Sequence, residues 1–331
     1  MDKRIALTVP VEGFTLAEHP DLLREAERLG YRDAWSWEAD GLDAFSPLAV
    51  AAMTTRLRVG TAIVNVFTRG PATLAQCAAS LAELAPGRAV LGIGAGSHVI
   101  VEAWNGGSFR RPATRVRETA LFLRRALTGE RVVFKGDTVR VDGFRLARPP
   151  AQPVPIFVAA LRPGMLRVAG EVADGVILNW LAPEDVGRCV AVAREAAREA
   201  GRDPAALEIA ARLFVFVEET PEAETHARRH LAAYLNVPVY RAFHEWLGRG
   251  DALGPMWDAW SRGDRKAALA AIPAHVLDEL VLRGPTPAIR ARVRAYLDAG
   301  IDTAILSLQT TTSDPRRRQE IVRAALAALA P

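Results

Sequence analysis

Cysteine is almost missing from this chain. Cys77 and Cys189 are the only two, each set in a helical pattern with no partner or metal-ligand spacing nearby, which argues against a disulfide framework and against a zinc site. Both are expected as core or half-buried thiols, and no metal is expected. Long apolar runs are missing as well: no stretch of about 18 uncharged apolar residues occurs. The start, MDKRIALTVP, runs directly into a strand pattern rather than the apolar core of a signal peptide. The expectation is a cytoplasmic protein without a membrane partner. Lysine is scarce too, limited to Lys3, Lys135 and Lys266, so the net charge of +4 is carried by arginine. Those arginines spread over helix faces such as RVRETALFLRRAL and do not cluster with aromatics, which argues against nucleic acid as a partner. An isoelectric point near 9.4 still suits an anionic cofactor or substrate.

What the sequence does have is a recurring phrase. An amphipathic helix is followed by a small residue, an aspartate and a short apolar strand: REAERLGYRDAWSW at 24–37, LRVAGEVADGVILNW at 166–180 and RAYLDAGIDTAILSL at 294–308. Short helix-to-strand joints of this kind are what a parallel sheet with outer helices requires. Filling the intervals places strands near 4–9, 33–37, 57–64, 89–94, 154–159, 174–179, 207–217 and 303–308. Helices fall near 18–29, 45–54, 72–84, 113–128, 163–173, 183–200, 220–234 and 286–299. This alternation predicts an α/β fold closed as a (β/α)₈ TIM barrel. A doubly wound open sheet is disfavoured, because the glycine-rich phrase Gly94-Ala95-Gly96 follows the fourth strand and not the first.

Two interruptions break the repeat within what is expected to be a single domain, 1–331. Alternation about a KGD turn predicts a small hairpin at about 130–150. A Trp-, Pro- and Gly-rich excursion at about 235–285 carries short helical patterns such as YRAFHEWLG and GPMWDAW. Long connections of this kind form lids or oligomer contacts.

In such a barrel the reacting groups follow the C-termini of the strands. After strand two come Trp37, Glu38 and Asp40, which read either as a charged rim or as a solvated loop. Strand three ends in TAIVN, a dry surface beside one amide side chain, Asn65. Strand four gives GAGSH, where Gly94 and Gly96 let backbone approach a ligand and Ser97 and His98 add polar groups. After strand five, VAALRPGML turns into a helix at Pro163, and its first-turn amides with Arg162 suit a phosphate.

The phrases LGYRDAWSWEADGLDAFSPLAV, LRVGTAIVNVFTRGPATLAQ, AVLGIGAGSHVIVEAW and PVPIFVAALRPGMLRVAGEVADGVILNW, in this order, resemble the luciferase-like superfamily. Within it the sequence is most similar to oxidoreductases that use coenzyme F420, over nearly the whole chain. The resemblance implies a non-prolyl cis peptide at Ala62-Ile63 behind the cofactor ring. It implies a phosphate held around Leu161, Arg162, Pro163, Gly164 and Met165, with Ala159 and Ala160 beneath the cofactor chain. Gly94, Gly96 and Ser97 would pass beside the ribityl portion, and Glu38 would take the family's acidic rim position.

The implied activity is hydride transfer between coenzyme F420 and a small-molecule substrate, with Glu38 and His98 as candidate catalytic residues. Trp37, Trp104 and Trp180 are candidates for pocket walls, or equally for core or dimer surface. The same fold with FMN, as a monooxygenase, and a non-catalytic cofactor-binding relative stay open, and a homodimer is implied by resemblance. Some features depart from the family. Arg162-Pro163 stands where Gly-Pro is common. Thr8 stands where methylene-tetrahydromethanopterin reductases have an acid, and Glu38-Ala39 replaces the Asp-His pair of sugar-phosphate dehydrogenases, which disfavours both of those reactions.

Overall fold

Each repeated phrase ends a helix and starts a strand of one closed sheet. In the computed structural model, which describes residues 2–331, the strands are β1 (Arg4–Val9), β2 (Asp33–Ser36), β3 (Arg58–Thr61), β4 (Ala89–Gly94), β5 (Ile156–Ala159), β6 (Gly175–Asn179), β7 (Glu208–Phe216) and β8 (Thr303–Gln309). Neighbours pair in parallel, and β1 closes the ring on β8. The predicted barrel is therefore what the chain forms.

The aspartate in the phrase has a physical task. The Asp174 carboxylate accepts the Ile156 N–H at the foot of β5 (2.9 Å), and Asp302 accepts the Ile209 N–H at the foot of β7 (3.0 Å). Each ties the start of one strand to its neighbour.

Proline sets where most outer helices begin, since its missing N–H costs nothing in a first turn. It lies in the first turn of α3 (Pro71–Leu84), α4 (Pro112–Ala126), α5 (Pro163–Val172), α6 (Pro183–Glu199) and α7 (Pro221–Leu235). Before them come α1 (His19–Arg28) and α2 (Phe45–Thr54). The hairpin forms from Val132–Lys135 and Arg140–Phe144. The excursion folds as α8 (Pro238–Trp246), α9 (Gly250–Ser261), α10 (Arg265–Ala270) and α11 (Ala274–Leu280), followed by α12 (Thr286–Asp298).

Two elements differ from the sequence expectation. Strand three stops at Thr61, and after a bulge only Val64–Asn65 resumes pairing with β4. A further helix, α13 (Pro315–Ala328), follows β8 where none was predicted; Asp314 caps it by accepting the Arg316 N–H at 2.9 Å. It packs on α1, with the Tyr31 hydroxyl donating to the Leu326 carbonyl at 3.0 Å.

Alternation along the strands sorts the barrel interior into three layers. At the foot Asp33, fully buried, accepts from Arg4 (3.2 Å), from Arg58 (2.9 and 2.6 Å) and from the Trp35 indole (3.2 Å), while Arg58 also reaches Glu208. The middle layer is apolar: Trp35, Val90, Phe157, Ile177 and Ile305 with Ala6 and Ala210. Its large side chains fit because a Cβ at Gly60 would fall 2.5 Å from the Trp35 ring, and one at Gly92 would fall 1.9 Å from the Thr61 carbonyl oxygen. Two residues further along, the mouth layer turns small or polar.

The excursion builds a second core around Leu253, Met256 and Trp257 that continues onto Trp180, Phe214 and Phe216 at the ends of β6 and β7. His244 in α8 is fully buried with neither ring nitrogen partnered, and burial pushes its pKa down to about 3. His230 in α7 is pushed to about 4, first by burial and then by Arg212. Unfolding returns both toward about 6.5. The unfolded chain therefore binds more protons below that pH, and stability is lost as pH falls from about 6.5 toward the folded values. At pH 5 each histidine should remove about 2 kcal/mol relative to neutral pH. Urea melts between pH 7.5 and 5 should show this loss, and His244→Leu should reduce it by about half. An unchanged pH slope in that variant would remove His244 as a cause.

Candidate active site

The mouth layer is the C-terminal continuation of the same inward-facing positions. On one side it is cut away: Gly94 closes β4, and a Cβ there would fall 3.0 Å from the Ile63 side chain and 3.2 Å from the Ala159 Cβ. Ile63, Gly94 and Ala159 thus form one low shelf. The Ala62-Ile63 peptide is cis, as the resemblance implied, and the Ala62 N–H donates to the Ser36 carbonyl at 2.5 Å.

Asn65 stands beside the shelf, 2% exposed, its carbonyl oxygen accepting the Phe67 N–H at 2.7 Å. Its amide nitrogen is buried with no partner. Gly96 has φ +66°, and a Cβ there would fall 2.2 Å from that nitrogen, so both conformation and space require glycine. The Ser97 hydroxyl accepts the Ile100 N–H at 3.3 Å, opening a π-helical turn over Val99–Trp104. His98 and Trp104 on this turn are exposed.

Beyond the shelf the chain passes Ala159 and Ala160 into α5. Ala160 donates to the Ile177 carbonyl, and Met165 and Leu166 donate to the Arg162 carbonyl. The N–H groups of Leu161, Arg162 and Gly164 donate to no acceptor among the described residues. Arg162 and Gly164 are exposed, and a Cβ on Gly164 would meet nothing within 4 Å. Pro163 begins the helix, so three free donors, the positive end of α5 and the exposed Arg162 occur together at this one helix start.

Glu38 lies at the rim, both oxygens taken by Arg69 (2.9 and 2.5 Å). This pair and Asn65 line an open cavity of about 460 Å³ that reaches Ile100. Ile63, Gly94 and residues 159–165 do not line it; Asn65 is the lining residue that stands beside the shelf. A smaller cleft of about 280 Å³ lies at the other end, between Pro86, Gly87 and Ala89 on one side and residues 148–154 on the other.

Opposite the shelf the mouth is polar and aromatic. Inward positions here are Thr8, Trp37, Asn179, Arg212 and Ser307, with Trp180 stacked on Phe214 (4.1 Å between centroids). Sequence reading missed Arg69 and Arg212. Arg212 carried a usable signal, since a charged residue interrupts the run EIAARLFVF on the inward phase shared by Glu208 and Ala210. Arg69 carried none, because its partner lies across two connections.

Comparison with known proteins adds to this geometry. Residues 3–303 match the luciferase-like monooxygenase family. The chain is 30% identical over 284 residues to a 5,10-methylenetetrahydromethanopterin reductase of Methanolobus tindarius, covering 83% of this chain and 85% of that protein. The fold is shared with the coenzyme F420 dependent tetrahydromethanopterin reductase of Methanopyrus kandleri, at a TM-score of 0.80 and 22% identity over 100% of both chains. It is also shared with an F420-dependent secondary alcohol dehydrogenase, at a TM-score of 0.77 and 20% identity over 100% of both.

Proposed function

The chain belongs to the luciferase-like monooxygenase family, and from that membership we propose that it is a coenzyme F420-dependent oxidoreductase moving a hydride between the deazaflavin and a small organic substrate. One observation carries the reading. The low shelf of Ile63, Gly94 and Ala159 runs directly into the start of α5, where three N–H groups are free. A cofactor made of a flat ring and a phosphate needs those two surfaces side by side.

When bound, the deazaflavin supplies a ring carbon that gives or accepts a hydride. The chain supplies the rest. Ala62 and Ile63 support the ring, and the unpartnered Asn65 amide is a ready donor at its edge. Leu161, Arg162 and Gly164 hold the phosphate. Aromatic side chains of α7 and the excursion, packed on Trp180 and Phe214, keep water from the reacting face. Glu38 holds Arg69 in place at the rim. We assign proton exchange to His98, which is exposed and unpaired at the head of the π-turn.

The relatives' printed substrate is not carried over, because Thr8 and not an acid stands inward at the end of β1. The proposal extends to a cytoplasmic homodimer of one 1–331 domain, supported by exposed Val99 and Trp104. A single monomer mass in sedimentation would remove the dimer. Among the described residues no helix is long and apolar enough to cross a membrane.

Titrating the apo-protein with coenzyme F420 and with FMN tests the cofactor. F420 should bind at least ten-fold more tightly. Tight FMN binding without deazaflavin binding would instead make the protein a flavin monooxygenase, and F420 binding without turnover on a broad substrate panel would leave a non-catalytic binder.

A further inference from the structure

Arg212 is a buried cation with no counter-ion among the described residues. Its side chain lies on the inward face of β7 at the mouth, 8% exposed. One terminal nitrogen donates to the Ser307 hydroxyl at 3.2 Å, and Nε is buried with no acceptor. Among the described residues no carboxylate lies within 4.0 Å of it. Two other largely buried guanidiniums are paired: Arg58 has Asp33 and Glu208, and Arg249 has Asp185 and Glu279. Burying an uncompensated charge is costly, so an anionic group reaching this end of β7 would be held strongly.

Its surroundings narrow what that partner is. The guanidinium lies 4.8 Å from the Trp37 ring centroid and 4.9 Å from that of Phe214. Tyr240, whose hydroxyl accepts from the Asn179 amide at 3.3 Å, and Tyr234 complete the aromatic wall. Burial pushes both phenols up and His230 down, so these neighbours stay neutral at physiological pH. One cation with one hydroxyl beside it suits a monoanion. A planar fork matches a carboxylate. The shelf assigned to the cofactor lies on β3 to β5, across the ring of strands from β7.

We propose that Arg212, with Ser307 beside it, is the substrate's carboxylate-recognition site, so that the substrate class is an organic monocarboxylate whose apolar body packs against Trp37 and Phe214. This rests on reading the mouth as the F420-dependent active site.

The test uses benzoate and its neutral counterpart benzamide, titrated into the apo-protein and followed by tryptophan fluorescence and calorimetry. Benzoate should bind the wild type at least ten-fold more tightly than benzamide. Arg212→Gln should abolish that preference while keeping F420 affinity within two-fold, and its melting temperature should not fall, since an unpaired buried charge has been removed. Ser307→Ala, which keeps the cation, should weaken benzoate about three-fold. Equal binding of benzoate and benzamide to the wild type overturns the proposal. So does an Arg212→Gln protein that keeps the benzoate preference but loses F420, which would assign the cation to the cofactor. Because the benzoate comparison needs no cofactor, failure of F420 to bind the wild type is read separately.

Discussion

Gly164→Asp is expected to weaken coenzyme F420 binding by ten- to a hundred-fold while leaving the protein folded. Gly164 lies in the first turn of α5, where a Cβ meets no atom within 4 Å, so the new side chain enters open space without displacing anything. An aspartate at this end of a helix is favoured by the dipole, by about 0.3–1 kcal/mol. The fold should therefore be as stable as before, or slightly more so. The same carboxylate would stand beside the free N–H groups assigned to the phosphate. Like charges about 4 Å apart repel by about 1–4 kcal/mol between bulk water and a protein surface, and each 1.4 kcal/mol is ten-fold in affinity. Gly164→Asn has the same shape without the charge and should lose much less. F420 fluorescence titration of the two variants checks this; equal affinity in both would remove α5 from the site.

The second large effect is expected at the opposite end of the barrel. Asp33→Ala removes a fully buried carboxylate that accepts from two arginines and one indole. Arg58 keeps Glu208, but the Trp35 N–H loses its acceptor and the positive charge at the foot is no longer balanced. Breaking one side of a buried ionic network costs about 3–5 kcal/mol. Urea denaturation should report a loss of that size with an unchanged m-value, and a loss below about 1 kcal/mol would show that Glu208 alone satisfies the pair.

The barrel was legible because its signals are local and repeat. The phrase of helix, small residue, aspartate and strand records a two-part constraint: the turn must be short, and Asp174 or Asp302 must reach an N–H at the start of a neighbouring strand. Proline at the helix starts worked the same way. The final helix was missed although Asp314 and Pro315 carry the same punctuation, since its partner surface on α1 lies at the far end of the chain.

The two halves of the site differed likewise. The shelf and the start of α5 sit on contiguous glycine- and proline-marked phrases, which a reader of sequence meets in order. Arg69 on Glu38, and Arg212 beside Trp37 and Ser307, bring together residues from strands and loops far apart in the chain. Only the closed ring makes them neighbours. Glu38, read from sequence as a rim carboxylate, has both oxygens occupied, a fact no local pattern encodes.

The apolar middle layer of the barrel has a consequence for anyone who would alter this protein. Glu208 and Arg212 are four residues apart on β7, about 13 Å along the strand, with Trp35, Phe157, Ile177 and Ile305 filling the space between the two ends. The one hydrogen-bonding side chain in that septum, the Trp35 indole, turns to Asp33 at the foot, so no side-chain hydrogen bond crosses from foot to mouth among these residues. Changes made to either compartment should therefore combine additively, and the foot can be rebuilt for stability while the mouth is rebuilt for a new substrate.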